Sequence, residues 1–584
     1  MSFRRLASLV RERGDLLSRL LVAALQVATI AWFSPGRGLP LDDAWIHQVV
    51  GRTFAETGTL GYAPGQHGAA ATSYLWAALL ALNFEVLHVD PTRWALLLNG
   101  AATLTTGQLL HSLVLRARPS DVDRLEWHVT SLVTTLLASI SPNLLWFTCS
   151  GMEAMPFVAL SLTAIWAATD DAASMRRATF AGFAAGALAL LRPEAAPLGG
   201  LLAVHAFLRK RHRTIAPIAA PWIVCVAVYV GSNVAKTGHA LPSTLAGRRW
   251  LWFETSSGLS RGVRALDFLD AWTTRLGTYT FDTGLTVVWI LIALAAYGAV
   301  RLVRTRASVS HDGFRLLVVW ALFHAAFYAL LLPTPGHGGR YQPLTPLLFA
   351  TCLPLGVALL LREIGRLVGF ADKVGFAWFA ALGAAPWIAL ATPVAQALRH
   401  DNALAVAHIQ GTELAAGAFV DQLPEGAVAS FDIGGIGWAS KRRVLDLGGL
   451  SDPKTATVLE SGRISTWLEE NRVRWIVLPQ SYEPTLPVFE DYRTRLHLAE
   501  NPSLRIEPVR SFETPFDKWE PSIRSTWNAA PKQVVYEVRY TNLPGPREVP
   551  MDAPDALRSI PDPARLVPAR ERVVAEHMLA MLAV

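Results

Sequence analysis

Runs of apolar residues recur through the first 395 positions, broken by short loops rich in arginine. A membrane-spanning helix needs roughly 20 apolar residues, fewer where neighbours shield it. The pattern predicts spans at about 17–34, 93–115, 127–147, 152–169, 178–191, 195–208, 214–234, 282–300, 315–333, 341–361 and 374–394. The runs at 178–191 and 195–208 are short and predict a shallow pair with its tip at Arg192-Pro193-Glu194. Basic residues concentrate in the loops 4–13, 116–124, 176–177, 209–213, 301–306 and 362–373. The positive-inside rule places all of these in the cytoplasm. One apolar stretch, 73–88, then cannot cross, because counting it would move the 116–124 loop to the wrong side. It is expected to lie as a juxtamembrane helix on the outer surface.

The predicted fold is therefore a polytopic α-helical membrane protein of about eleven spans, N-terminus cytoplasmic and C-terminus extracytoplasmic. The outer elements are 35–72, 149–153, 192–194, 236–281, 334–342 and everything after about residue 396. That last region has a different pattern. Strand-like runs at 427–431, 474–478 and 534–540 alternate with helical periodicity at 404–420 and 456–471. They predict a transmembrane module over 1–395 and an extracytoplasmic α/β domain over 396–545. In the remaining extension, 546–584, proline and charge dominate to about 566, and 567–584 reads as a short amphipathic helix.

Composition agrees with the pattern. The chain is 52% hydrophobic and 17% charged, and its mean hydropathy is +0.31, which excludes a soluble globular protein. Twenty tryptophans suit interfacial belts. Much of the basic surplus behind the net charge of +7 sits in short loops between apolar runs, and the charge does not by itself point to nucleic acid. Cys149, Cys225 and Cys352 lie in or at apolar runs, without metal-ligand spacing or a disulfide framework. The first apolar run is long and lacks a convincing small-x-small cleavage site, so it is expected to be a retained helix rather than a signal peptide.

The candidate chemistry falls on the outer face. Asp42 and Asp43 follow the first span, and residues 44–56 have helical spacing, which puts the pair at a helix N-terminus. Such a pair also serves as an N-cap or a solvated loop. Beside a membrane, however, two like charges raise the pKa of at least one, as suits a proton acceptor or a cation ligand. His47, four residues after Asp43, shares that helix face. Glu153 opens an apolar run, Arg192 and Glu194 form an outer tip, and Arg248, Arg249 and Arg340 lie in outer loops. Arginines there suit phosphate, which they bind through paired hydrogen bonds while staying charged; they also suit head-group snorkelling. Asp42, Asp43, Glu153 and His47 are oxygen and nitrogen donors of the kind that hold a divalent ion. The run Gly434-Gly435-Ile436-Gly437 lacks dinucleotide-binding spacing and is expected to be a turn.

The order of these motifs resembles that of the GT-C glycosyltransferases. Asp42-Asp43, then a helix, a Gly-rich turn at 58–65 and Thr72-Ser73-Tyr74-Leu75-Trp76, resemble their first outer loop. Ser150-Gly151-Met152-Glu153 resembles their second acidic motif, and Leu191-Arg192-Pro193-Glu194 their Arg-Pro-acid turn. Leu241-Pro242-Ser243-Thr244-Leu245-Ala246-Gly247-Arg248 resembles a Pro-x-Thr loop ending in a base, and Gly339-Arg340-Tyr341-Gln342-Pro343 an Arg-Tyr-x-x-Pro motif. Asp432-Ile433-Gly434-Gly435 and Asp446-Leu447-Gly448-Gly449 resemble the core of the outer domain. The resemblance covers about 17–545 and is strongest to actinobacterial terminal arabinofuranosyltransferases and related membrane enzymes.

What it implies is inverting transfer of a sugar, arabinofuranose or mannose, from a polyprenyl-phosphate donor to an extracytoplasmic glycan or lipid acceptor, at the bacterial cytoplasmic membrane. Asp42, Asp43 and Glu153 would be catalytic, with Asp42 favoured as the base. His47, Arg192, Arg248, Arg249, Arg340 and Tyr341 would bind substrate. Some GT-C relatives need a divalent ion (Mg, Mn or Ca) and others do not, so no cofactor is certain. The text around Gly68–Thr72 departs from the usual pattern and leaves the sugar open. Two other readings remain. A transporter or flippase of lipid-linked sugars would want charges near mid-span. A non-catalytic cell-envelope scaffold would use the outer domain alone.

Overall fold

The computed structural model describes residues 3–63, 70–172, 174–240, 242, 244, 261–281, 284–304, 309–332, 336, 339–369, 376–480, 496, 498, 501–514 and 530–541. Arg248, Arg249 and the extension 546–584 lie outside them. The chain divides into two compact units. The first runs to Val406 and takes in 448–456; the second holds the rest of the described residues from Ala407 onward.

Helices make up the first unit. They are α1 (Phe3–Phe33), α2 (Asp42–Thr57), α3 (Tyr74–Leu82), α4 (Pro91–Arg116), α5 (Arg124–Ser139), α6 (Pro142–Cys149), α7 (Ala154–Ala168), α8 (Met175–Leu191) and α9 (Pro197–Leu208). There follow α10 (His212–Thr237), α11 (Arg261–Phe281), α12 (Leu285–Arg304), α13 (Asp312–Leu331), α14 (Leu344–Leu367) and α15 (Phe376–Ile409). Every expected span coincides with a helix. Six helices among the described residues are long and apolar enough to cross a membrane unaided, and α5 with α6 forms a seventh span bent by 53°. Pro142 at the first position of α6 explains the break, because it has no N–H to continue the ladder of α5. The other four expected spans fall on α4, which is long but carries buried Asn99, Thr103, Thr106 and His111, and on the shorter α7, α8 and α9. The stretch 73–88 is α3 followed by a single π turn, Asn83–Leu87.

Glycine contacts set the helix spacing at two crossings. A Cβ at Gly182 of α8 would stand 2.3 Å from the carbonyl oxygen of Ile218 on α10, and one at Gly186 would strike Cys225 at 2.7 Å. A Cβ at Gly356 of α14 would lie 2.0 Å from the Leu294 carbonyl oxygen on α12. These pairs pack backbone to backbone, as small residues allow in membranes.

The basic loops gather at one end of the bundle. Arg209 holds Asp312 through two hydrogen bonds, Arg211 donates to the Asp170 and Asp171 carbonyls, and Arg362 and Arg366 share Asp121 at 3.1 and 3.0 Å. Arg301 pairs with Glu363.

The second unit is a five-stranded sheet with helices. Its strands are β1 (Ala427–Ser430), β2 (Val444–Asp446), β3 (Val473–Gln480), β4 (Leu504–Glu513) and β5 (Lys532–Tyr540), in the order β2-β1-β3-β5-β4. The first three are parallel; β5 and β4 are antiparallel additions. Val428, Ile476, Val477 and Val535 are fully buried in its core. Residues 434–437 are not a turn but open a short helix, α16 (Gly434–Ala439). There Gly435 passes so close to Glu413 that a Cβ would lie 2.6 Å from the Glu413 Cβ.

Candidate active site

The acidic pair sits where its sequence places it, in the first turn of α2, and both carboxylates are half-buried. The helix dipole favours negative charge there. Gly58 closes the helix in the left-handed conformation at φ 68°, donating to the Phe54 carbonyl. The helix packs on α3 at Gly51, where a Cβ would stand 2.9 Å from the Leu80 Cβ.

Glu153 reaches the same helix because of a glycine. Gly151 adopts φ 74°, and a Cβ there would meet Leu39 at 2.6 Å and Ala44 at 3.2 Å. The loop thus slides beneath the start of α2 and delivers Glu153 to His47, with His47 Nε2 3.5 Å from Glu153 Oε2. The other oxygen, Oε1, accepts a 2.9 Å hydrogen bond from Arg192 Nε. Arg192 stands at the extended residue that ends α8, just before Pro193 forces a new turn. Its Nη1 is 3.5 Å from Glu194, which accepts a 2.6 Å bond from the Tyr328 hydroxyl.

Arg340 is placed by two successive tight turns. Gly336 and Gly339 take φ 68° and 76°, Gly339 N–H donates to the Gly336 carbonyl, and Gln342 N–H donates to that of Gly339. The side chain, 1% exposed, pairs through Nη2 with Asp43 and lies 3.3 Å from the Tyr341 hydroxyl. Tyr341 is the hinge of the cluster. The guanidinium groups of Arg192 and Arg340 lie 5.1 and 5.0 Å from its ring centroid, and Tyr328 stacks on it at 5.8 Å.

Electrostatics fix the charge states. Burial alone would raise the Glu153 pKa, but Arg192 and then His47 outweigh it and hold the acid down to about 2. Burial dominates at His47 and pushes its pKa below the usual value, against the pull of Glu153 and Asp43. Burial would also discharge Arg340, but Asp43, Tyr341 and Glu153 together drive its pKa upward, so it stays cationic.

Several buried polar atoms here have no hydrogen-bond partner among the described residues. They are Arg340 Nε and Nη1, Arg192 Nη1, His47 Nδ1, Glu153 Oε2, and both Oε1 and Nε2 of Gln342. Native interiors satisfy such groups, which makes this cluster the candidate site.

Of the residues singled out from sequence, Asp43, His47, Glu153, Arg192, Arg340 and Tyr341 form one connected cluster, and Asp42 adjoins it in the chain. Thr244, on the Pro-x-Thr loop, approaches Thr72 at 3.4 Å between hydroxyls. Sequence reasoning missed Tyr328 and Gln342. The first is hidden inside an apolar run, and the second stood as an unspecified position in its motif. The donor set fits a divalent ion poorly. Glu153 and Asp43 each engage an arginine, and no group of three or more His, Cys, Asp or Glu side chains converges among the described residues.

Residues 402–535 match a family described only as a domain of unknown function, DUF8728. No curated protein matches the chain in sequence. Among solved structures, the chain is similar to ArnT from Cupriavidus metallidurans in the apo state: 13% identity over 90% of this chain and 99% of that one, TM-score 0.50. It is similar to the Archaeoglobus fulgidus oligosaccharyltransferase in the apo form: 13% identity over 81% and 70%, TM-score 0.50. A looser likeness links it to the arabinofuranosyltransferase AftD from Mycobacteria: 14% identity over 90% and 41%, TM-score 0.43. With helices at every predicted span and a small sheet unit after them, the chain is a multi-pass membrane protein with the GT-C fold.

Proposed function

We propose that the protein is a membrane glycosyltransferase that moves a sugar from a polyprenyl-phosphate donor to a glycan or lipid acceptor outside the cytoplasm. The observation that carries this reading is a buried guanidinium, Arg340, with two nitrogens left to donate, held against an acid pair at a helix N-terminus. Among the similar proteins, ArnT has a structure bound to undecaprenyl phosphate, and the Archaeoglobus fulgidus oligosaccharyltransferase AglB one in complex with a dolichol-phosphate. The gathering of basic loops at the opposite end of the bundle supports a cytoplasmic N-terminus and an outward-facing site, in a bacterial cytoplasmic membrane.

In this mechanism Asp42 accepts the proton of the acceptor hydroxyl as its oxygen bonds to the anomeric carbon. The bond from that carbon to the phosphate oxygen breaks from the opposite face, and its electron pair stays on the phosphate. Arg340 Nε and Nη1 meet the charge that grows there. Asp43 is the less suitable base, since its carboxylate already accepts from Arg340. Glu153, held ionised by Arg192, positions that second guanidinium beside Tyr341 rather than moving a proton. Arabinofuranose and mannose are the first sugars to try, and no step requires a metal.

The test is sugar transfer by purified protein in liposomes, using undecaprenyl-phosphoryl arabinofuranose and mannose as donors. Removing a general base lowers turnover by roughly 10²–10⁴-fold, so Asp42→Asn should fall in that range. Unchanged turnover in both Asp42→Asn and Asp43→Asn would sink the mechanism.

A further inference from the structure

Gln342 is fully buried, and neither end of its amide finds a hydrogen-bond partner among the described residues. An orphaned amide in a membrane protein's interior is selected against unless it has work to do, because leucine or methionine would fill the same space without the penalty. The backbone around it is fully accounted for: its N–H donates to Gly339 and its carbonyl accepts from Thr345. Only the side chain is left over. It follows Arg340 and Tyr341 directly, on a segment that two positive-φ glycines fold into the cluster.

We propose that Gln342 reads the sugar of the lipid-linked donor, its carbonyl oxygen accepting from one ring hydroxyl and its NH₂ donating to the next. The inference rests on the proposed transferase reading and extends it from the phosphate to the sugar. An amide offers one acceptor and two donors within a single rigid plane. Adjacent hydroxyls each donate and accept, so a vicinal diol satisfies both ends at once. A phosphate, which only accepts, satisfies one end. Arg340 therefore serves the leaving group, and Gln342 serves the glycosyl group that a bare lipid phosphate lacks. A site with a buried hydrogen-bonding group also discriminates strongly against substrates that leave it unpaired.

The experiment compares binding of undecaprenyl phosphate with that of undecaprenyl-phosphoryl arabinofuranose and mannose. The full-length protein in nanodiscs is used as wild type and as Gln342→Met and Gln342→Leu, with thermal unfolding measured alongside. Both variants should unfold at or above the wild-type temperature. They should keep undecaprenyl phosphate affinity within about twofold, and lose at least about tenfold in affinity for the sugar-bearing lipid that wild type binds best. Unchanged affinity for that lipid, or equal loss for all three lipids, overturns the assignment while leaving the transferase reading standing. If wild type binds none of the three, the transferase reading fails first and takes this inference with it.

Discussion

The Asp43–Arg340 pair should respond very unequally to the removal of its two members. Arg340 is 1% exposed and Asp43 30%. Asp43→Asn keeps the shape of the contact and removes the counter-charge paired with Arg340, which is then buried without its ion-pair partner. Breaking a fully buried pair from one side costs about 3–5 kcal/mol. Solvent reaches Asp43 and screens part of this, so we expect a loss of about 2–3 kcal/mol. Arg340→Met removes the same pair but also the two guanidinium nitrogens that lack partners. Each orphaned donor carries a penalty of about 1–3 kcal/mol, so this variant should lie within about 1 kcal/mol of wild type or above it. In the methionine background Asp43→Asn should cost little, giving a coupling energy of about 2 kcal/mol across the cycle. Unfolding of the four proteins in detergent measures the stabilities, and sugar transfer measures function. Activity should follow a different order, with both single variants down by at least about 100-fold, the loss expected when one preorganised donor is removed. A greater stability loss in Arg340→Met than in Asp43→Asn, or strict additivity, would refute the assignment of Arg340 as a cation held in reserve for a ligand.

Acid stability should carry the mark of Glu153 and His47. Glu153 is depressed from 4.5 to about 2 in the folded state, so its contribution is complete above about pH 4.5 and is lost as pH falls toward 2. Glu153→Gln should flatten that part of a profile of unfolding temperature against pH. His47, facing Glu153, Asp43, Arg340 and Arg192, is also depressed. Stability should therefore begin to decline as pH falls through its unfolded value of 6.5, and His47→Gln should remove that onset. Gly356→Ala forces a Cβ against the Leu294 carbonyl. Overpacking of this kind costs about 1–3 kcal/mol, and the unfolding temperature should drop accordingly, with Gly298→Ala at the same crossing behaving alike.

The gross layout of the chain was legible because it follows from solvent. Apolar length and loop charge place helices at each expected span, and alternation marked β1, β3 and β5. Local chemistry also carried over: Asp42 and Asp43 open α2, and Glu153 stands just before α7. Pairings did not carry over, because they join residues far apart in the chain. Nothing near Asp43 indicates that its partner is Arg340, 297 residues away. That contact depends on Gly336 and Gly339 turning a loop inward. The strand β4 is harder to read, because it is an edge strand with a mostly exposed pattern, and a bulge at Pro508 breaks the alternation begun at Leu504 and Ile506. At Gly434 the sequence points to a turn where the chain forms a short helix, since glycine disfavours helix on propensity. Close packing overrides that preference, since only glycine fits against Glu413 there.

The backbone contact between α8 and α10 bears on how the protein meets bilayers of different thickness. Sliding one of these helices along the other would drive the Ile218 carbonyl out of the notch at Gly182 and Cys225 out of that at Gly186. The pair is keyed in register and answers a thicker or thinner hydrocarbon layer by tilting together. Arg192, directly after the last residue of α8, therefore keeps its height relative to α10 whatever lipids surround it. Changes in lipid composition reach Arg192 as a tilt of the keyed α8–α10 pair.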